Sequence, residues 1–134
     1  MVASDPSLPA GSQLTVARED RGSSIVLAVA GEVDLLTAPD LQQELARALE
    51  DRPVTLVVDL SDVEFLASPG LAALVGAHQN AHEGTQVRLV ADGNATFRPL
   101  QLTGLDEEIP VYRTRADALS PGDGNSGEIE PRTS

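Results

Sequence analysis

Three sets of residues in this chain carry side chains that could do chemistry. His78 and His82 stand four residues apart, the spacing that places two imidazoles on one face of a helix and within reach of one metal ion. A zinc hydrolase needs a glutamate directly after the first histidine, but Gln79 stands there, and no third ligand is apparent. His78 also continues an apolar stripe, so no metal site is expected. Leu66-Ala-Ser-Pro-Gly70 partly imitates the strand-to-helix nucleophile elbow Gly-x-Ser-x-Gly, without its first glycine. Ser68 would also lack a base: ten helical residues at about 1.5 Å each put His78 roughly 15 Å away, and His82 farther. Hydrolysis is not expected, and without a Gly-rich phosphate loop neither is nucleotide binding or any other cofactor. The third set is acidic. Asp34 follows one strand-like run, and Asp59 and Asp62 lie in or after another, so all three are candidates for the rim where parallel strands end and where open α/β sheets bind ligands and partners. Each also serves as an ordinary turn residue.

The elements that must position these groups are legible as an alternation. Residues 13–17 suit a short edge strand, a turn follows at Asp20-Arg-Gly22, and residues 24–30 are an apolar run of strand length, so an antiparallel hairpin is expected. Gly31-Glu-Val-Asp34 ends that strand, and Thr37-Ala-Pro-Asp40 has the spacing of a capping box. Ala38, Leu41, Leu45, Ala48 and Leu49 then share one helical face, opposite Asp40, Gln43, Glu44 and Arg47. Residues 54–60 form a nearly continuous apolar run, as in a parallel strand buried on both faces. A second helix follows, with Ser68 as its N-cap, Pro69 at the first helical position and an end near Gly84. Leu71, Leu74, Val75 and His78 make its apolar stripe. Beside that stripe Pro69, Ala72, Ala73 and Gly76 make a face of small residues, which suits either close packing or a flat surface for another protein.

Residues 86–90 are the next strand. A short helix over residues 97–103 follows, capped by Thr96 and closed by Gly104, with Leu105 placed for the apolar contact that accompanies such an ending. Residues 109–112 give a last strand, and Thr114-Arg-Ala-Asp117 opens a terminal helical turn. The fold expected is α/β: a mostly parallel, mixed sheet of four to five strands with an early antiparallel strand and helices packed on it. One domain over residues 13–119 is expected, after a disordered leader over 1–12 and before a disordered Gly/Pro/acidic tail over 120–134.

Composition narrows the function. The 134 residues contain no cysteine, which excludes disulfides and thiol chemistry, and the net charge of −12 opposes direct contact with nucleic acid or anionic membranes. All nine basic residues are arginine, and aromatics make up only 2% of the chain, so the core must be built from Leu, Val, Ile and Ala. No run approaches the roughly 20 apolar residues that span a bilayer, and the first residues do not read as a signal peptide. A cytoplasmic protein without membrane insertion is expected.

Three stretches, in order, carry a family resemblance: Gly31-Glu-Val-Asp-Leu35 with Thr37-Ala-Pro39, then Val57-Val-Asp-Leu-Ser-Asp-Val-Glu-Phe-Leu-Ala-Ser-Pro-Gly-Leu71, then Leu102-Thr-Gly-Leu-Asp-Glu107. They resemble the STAS domain, and within it the single-domain bacterial anti-sigma factor antagonists, over about residues 14–119. The resemblance implies a protein-binding regulator and not an enzyme. It would bind an anti-sigma factor with a histidine-kinase-like ATPase fold and so free a sigma factor, and the unbound chain is expected to be a monomer. It further implies that Ser68 matches the serine that the partner phosphorylates, and that Asp34 matches a nearby acidic residue. The contact surface implied is Ser68, Pro69, Ala72, Ala73 and Gly76, with Asp34, Leu35 and Thr37 beside it. A STAS accessory subunit of a membrane transport complex is the alternative. The chain departs from the family's Asp-Ser-Ser-Gly or Asp-Ser-Thr-Gly by having Ala67 before the serine and Pro69 after it, which removes an acid and an amide at the phosphorylation site.

Overall fold

The computed structural model describes residues 13–120. The leader expected over residues 1–12, and all but the first residue of the expected tail, lie outside the described residues. Ten elements follow in order: β1 (Leu14–Arg21), β2 (Ser24–Val33), α1 (Ala38–Glu50), β3 (Thr55–Leu66), α2 (Ser68–Asn80), β4 (Gln86–Val90), α3 (Phe97–Leu102), α4 (Leu105–Glu108), β5 (Val111–Tyr112) and α5 (Arg115–Leu119). They build one five-stranded sheet in the order β1-β2-β3-β4-β5. The first pair is antiparallel and the other three pairs are parallel, as the apolar runs predicted.

The two sheet faces are covered unequally. Leu27, Leu56, Val58 and Leu60 join the main core, which also takes the whole predicted stripe of α1, from Ala38 to Leu49. Alternate residues Val26, Val57 and Val90 point the other way and pack with Ala118 of α5. That division explains why β3 reads as continuously apolar: both of its faces are buried.

β2 and β3 run farther than the sequence predicted. Pairing with β4 stops at Asp59, but β3 continues to Leu66 beside β2, which continues to Val33. Two register shifts, between Ala28 and Ala30 and between Gly31 and Glu32, break the alternation that a regular strand would show. Gly31 takes φ +106°, and a Cβ there would run into the Gln13 carbonyl oxygen, so only glycine suits this bulge. β1, β2 and β3 thus project beyond the rest of the sheet, and the candidate site stands at the tip.

α2 differs from its predicted pattern. Its buried residues are Gly70, Ala73, Leu74 and Ala77, with Leu71 and Val75 only half-buried against the core. Of the predicted small-residue face only Ala73 is buried; Ala72 is exposed, Pro69 and Gly76 are half-buried, and a Cβ at Gly76 would meet open space. The helix ends at Asn80, where Ala81 turns extended, so His82 lies off the helix and the two histidines are not a helical pair. Gly104 closes α3 at φ +79° as expected, but Leu105 then begins α4, which the sequence reading lacked. Thr96 occupies the N-cap position of α3 without a side-chain capping bond, whereas the Thr114 hydroxyl accepts from the Asp117 amide and caps α5.

Candidate partner-docking site

The site is assembled by the paired ends of β2 and β3. Val33 is in register with Leu66, and the Ala67 amide donates to the Val33 carbonyl at 2.9 Å. Because the strands are parallel, Asp34, the first residue after β2, and Ser68, the second after β3, emerge on the same rim. Gly70 completes the join: a Cβ there would overlap the side chains of Val33 and Leu66, so the first turn of α2 lies directly on the strand ends.

Ser68 is not the N-cap. Ala67 holds that position, with extended backbone (φ −92°, ψ 171°), and Ser68 and Pro69 are the first and second helical residues. The Gly70 and Leu71 amides both donate to the Ala67 carbonyl. Pro69 has no amide hydrogen, so Ser68's own amide is the one in the first turn left outside these bonds. The Ser68 side chain is exposed and makes no hydrogen bond to any described residue. Among the described residues its hydroxyl therefore has no partner.

Asp34 and Thr37 serve the loop between β2 and α1. One Asp34 carboxylate oxygen accepts from the Leu36 and Thr37 amides, each at 3.0 Å. The Thr37 hydroxyl accepts from the Asp34 amide at 2.9 Å and donates to the Glu32 carbonyl at 2.8 Å. The predicted capping box is thus not made, because the threonine turns backward to the strand end instead of forward to the helix. Thr37 is only 4% exposed, so its side chain serves the loop from within.

The remaining predicted contact residues divide. Leu35, Pro69 and Ala72, joined by Pro39, which was not among them, line a hollow of about 270 Å³ where the first turns of α1 and α2 meet, and buried Ala73 forms part of its floor. Gly76 lies farther along α2, half-buried and outside that hollow. Two exposed apolar residues at the same tip escaped the sequence reading: Leu36 and Phe65, 70% and 52% exposed. The available signal was a second leucine in a loop; Phe65 is in step with buried Val63 in the sequence, and only the register shift between them turns it outward.

Asp59 does not belong to the rim. It lies seven residues before the end of β3, 8% exposed, and accepts from the Ser61 amide at 2.9 Å and hydroxyl at 2.6 Å and from Arg115 Nε at 3.0 Å. Burial alone would push its carboxyl up, but the Ser61 hydrogen bonds and the Arg115 guanidinium outweigh burial and hold it below the ordinary value. Asp62 is exposed on β3, in register with Ala30. Among the described residues no three His, Cys, Asp or Glu side chains gather in a way that would hold a metal ion, and no helix is long and apolar enough to cross a membrane.

Comparison with known proteins agrees with this geometry. The STAS domain model matches residues 15–118. The anti-sigma-F factor antagonist RsfB of Mycobacterium tuberculosis is 37% identical over 113 residues, covering 84% of this chain and 93% of RsfB. The crystal structure of an anti-sigma factor antagonist from Mycobacterium paratuberculosis superposes with a TM-score of 0.80 at 44% identity, covering 84% of this chain and 96% of that one. At 16% identity, unphosphorylated SpoIIAA shares the fold, with a TM-score of 0.65 over 78% of this chain and 93% of SpoIIAA. A sheet of this order, a family model matching nearly all the described residues and relatives matched over nearly their whole length agree: the chain belongs to the STAS domain family, among its anti-sigma factor antagonists.

Proposed function

We propose that this chain is an anti-sigma factor antagonist: it binds an anti-sigma factor with a histidine-kinase-like ATPase fold through the rim bearing Asp34, Leu35, Ser68, Pro69 and Ala72, and so frees a sigma factor. The observation that carries the reading is the near-full-length identity to RsfB, together with an exposed Ser68 hydroxyl at the rim. Phosphorylation of Ser68 would switch the complex off. A phosphoryl group adds about −1.5 to −2 charges. Set at the start of α2, that charge lies at the favourable end of the helix dipole, so the fold survives. A partner closed over Ser68 would have to desolvate the dianion, and would let go. With Ala67 before the serine, the base for the transfer comes from the partner or from solvent.

The test is to mix the purified chain with its cognate anti-sigma factor and ATP. A stable complex with the unmodified chain, one added phosphate and release on modification are expected, with none of the last two in Ser68→Ala. An anti-sigma factor that ignores the chain would overturn the reading, and co-purification with a transporter ATPase would replace it with the accessory-subunit alternative.

A further inference from the structure

The tip of the β1-β2-β3 projection carries a surface that the small residues of α2 do not account for. Leu35 and Leu36 are 76% and 70% exposed, yet they sit in a loop fixed by hydrogen bonds from both sides, through Asp34 and Thr37. Ordinary exposed leucines sit singly on surfaces; two together on a rigid loop are a presentation. Phe65 stands at the same end of the sheet: it is in register with Glu32, one pair before the Val33–Leu66 pair from which this loop leaves, and it is 52% exposed.

The chain segments that carry them bear charge of a single sign. From Gly31 to Ala46 and from Leu60 to Ala81 the sequence contains no Arg or Lys, but it contains Glu32, Asp34, Asp40, Glu44, Asp62 and Glu64. Asp34 is committed to the loop; Asp40, Asp62 and Glu64 are exposed. Arg98, on α3, follows β4, whose pairing ends at Asp59, seven residues short of the tip. An apolar centre inside an acidic collar has a complementary surface of definite chemistry.

We propose that Leu36 and Phe65 are the apolar anchors of the docking surface, and that their partner is a protein segment offering apolar sockets rimmed by arginine or lysine. The proposal deepens the anti-sigma reading and rests on it for the partner's identity. The anchors enter the sockets, while the hollow between α1 and α2 takes a small apolar side chain in return. The collar steers the approach and rejects acidic surfaces.

The experiment has two arms, so that the surface and the function can fail separately. In the first, the purified cognate anti-sigma factor is titrated with the full chain. Leu36→Asp and Phe65→Asp should each weaken binding by about tenfold or more, as central apolar anchors do. Leu102→Asp, at an equally exposed leucine on α3, should leave it unchanged. Affinity should fall as salt is raised, and less so in Asp40→Asn combined with Glu64→Gln. In the second arm, a phage-displayed dodecapeptide library is selected on the immobilised chain. Peptides combining apolar residues with Arg or Lys should be enriched, and Leu36→Asp should lose them. Anchor variants that bind like wild type, or enrichment of acidic peptides, would overturn the proposal. Selection of basic, apolar peptides by a chain that ignores the anti-sigma factor would uphold the surface and sink the function; failure of both arms would sink both.

Discussion

Ser68 has a hydroxyl that none of the described residues uses. An N-cap serine replaced by alanine costs about 1 kcal/mol, but Ser68 is the first helical residue and makes no capping bond. Ser68→Ala should therefore change unfolding free energy by less than about 0.5 kcal/mol, as surface substitutions do. A urea titration checks this, and a loss near 1 kcal/mol would mean that the hydroxyl caps after all. Two residues on, the expectation reverses. Gly70 has normal helical backbone, but a Cβ there meets Val33 and Leu66. Gly70→Ala should cost about 1–3 kcal/mol by overpacking, despite alanine's better helix propensity. The contrast separates a residue kept for the surface from one kept for the join beneath it.

At the scale of the element, the β2–α1 loop decides how Leu35 and Leu36 are shown. Thr37→Val keeps the shape but strips a hydroxyl that serves the Asp34 amide and the Glu32 carbonyl. Leaving those groups unsatisfied near a buried side chain should destabilise by about 1–3 kcal/mol. Hydrogen exchange should also quicken at the Leu36 and Thr37 amides in Asp34→Ala, because that carboxylate is their acceptor. The same loop shows where legibility stops. The stripe of α1 is readable because five residues repeat at helical spacing and all five are buried. Thr37 is not readable as a backward-facing residue, because a short polar side chain has partners on both sides and only the path of β2 chooses. The full length of β2 and β3 was hidden by bulges that spoil alternation. α4 was hidden because its Leu-Asp-Glu-Glu has one apolar residue and no period. That Asp34 and Ser68 share one rim was legible because parallel strands deliver their following residues to the same end of the sheet, whereas Leu35, Pro69 and Ala72 were named through the family resemblance. Leu36 and Phe65 were not legible, since exposure depends on what other elements leave uncovered.

Over the whole molecule, two electrostatic effects oppose each other as pH falls. The chain carries a net charge of −12 at neutral pH with an isoelectric point near 4.3, so self-repulsion eases on mild acidification and stability should rise. Against this stands the latch that holds α5 to the sheet. Arg115 bonds Asp59 of β3 and Glu19 of β1, joining three elements, while Arg88 donates to the Ala118 and Ser120 carbonyls from beneath. Asp59 is held below its ordinary value when folded, although burial opposes this. Glu19 is lowered too, chiefly by Arg21 and then by Arg115. A carboxyl depressed by folding contributes stability above its unfolded pKa, and loses it as pH drops through the folded one. The latch is therefore intact down to about pH 4, the ordinary carboxyl range, and fails below it. Thermal melts across pH should show stability rising from neutral to a maximum near pH 5 and then falling. In Asp59→Asn the fall below about pH 4 should be shallower, because that carboxylate no longer titrates. Arg115→Ala should cost about 2 kcal/mol at neutral pH, the scale of a charge-assisted hydrogen bond, and should flatten the same acid limb. An acid limb as steep in Asp59→Asn as in wild type would place the controlling carboxylate elsewhere. Since α5 is five residues long and buries mainly Ala118, the ion pairs and not its apolar area are what should decide whether it stays on the sheet.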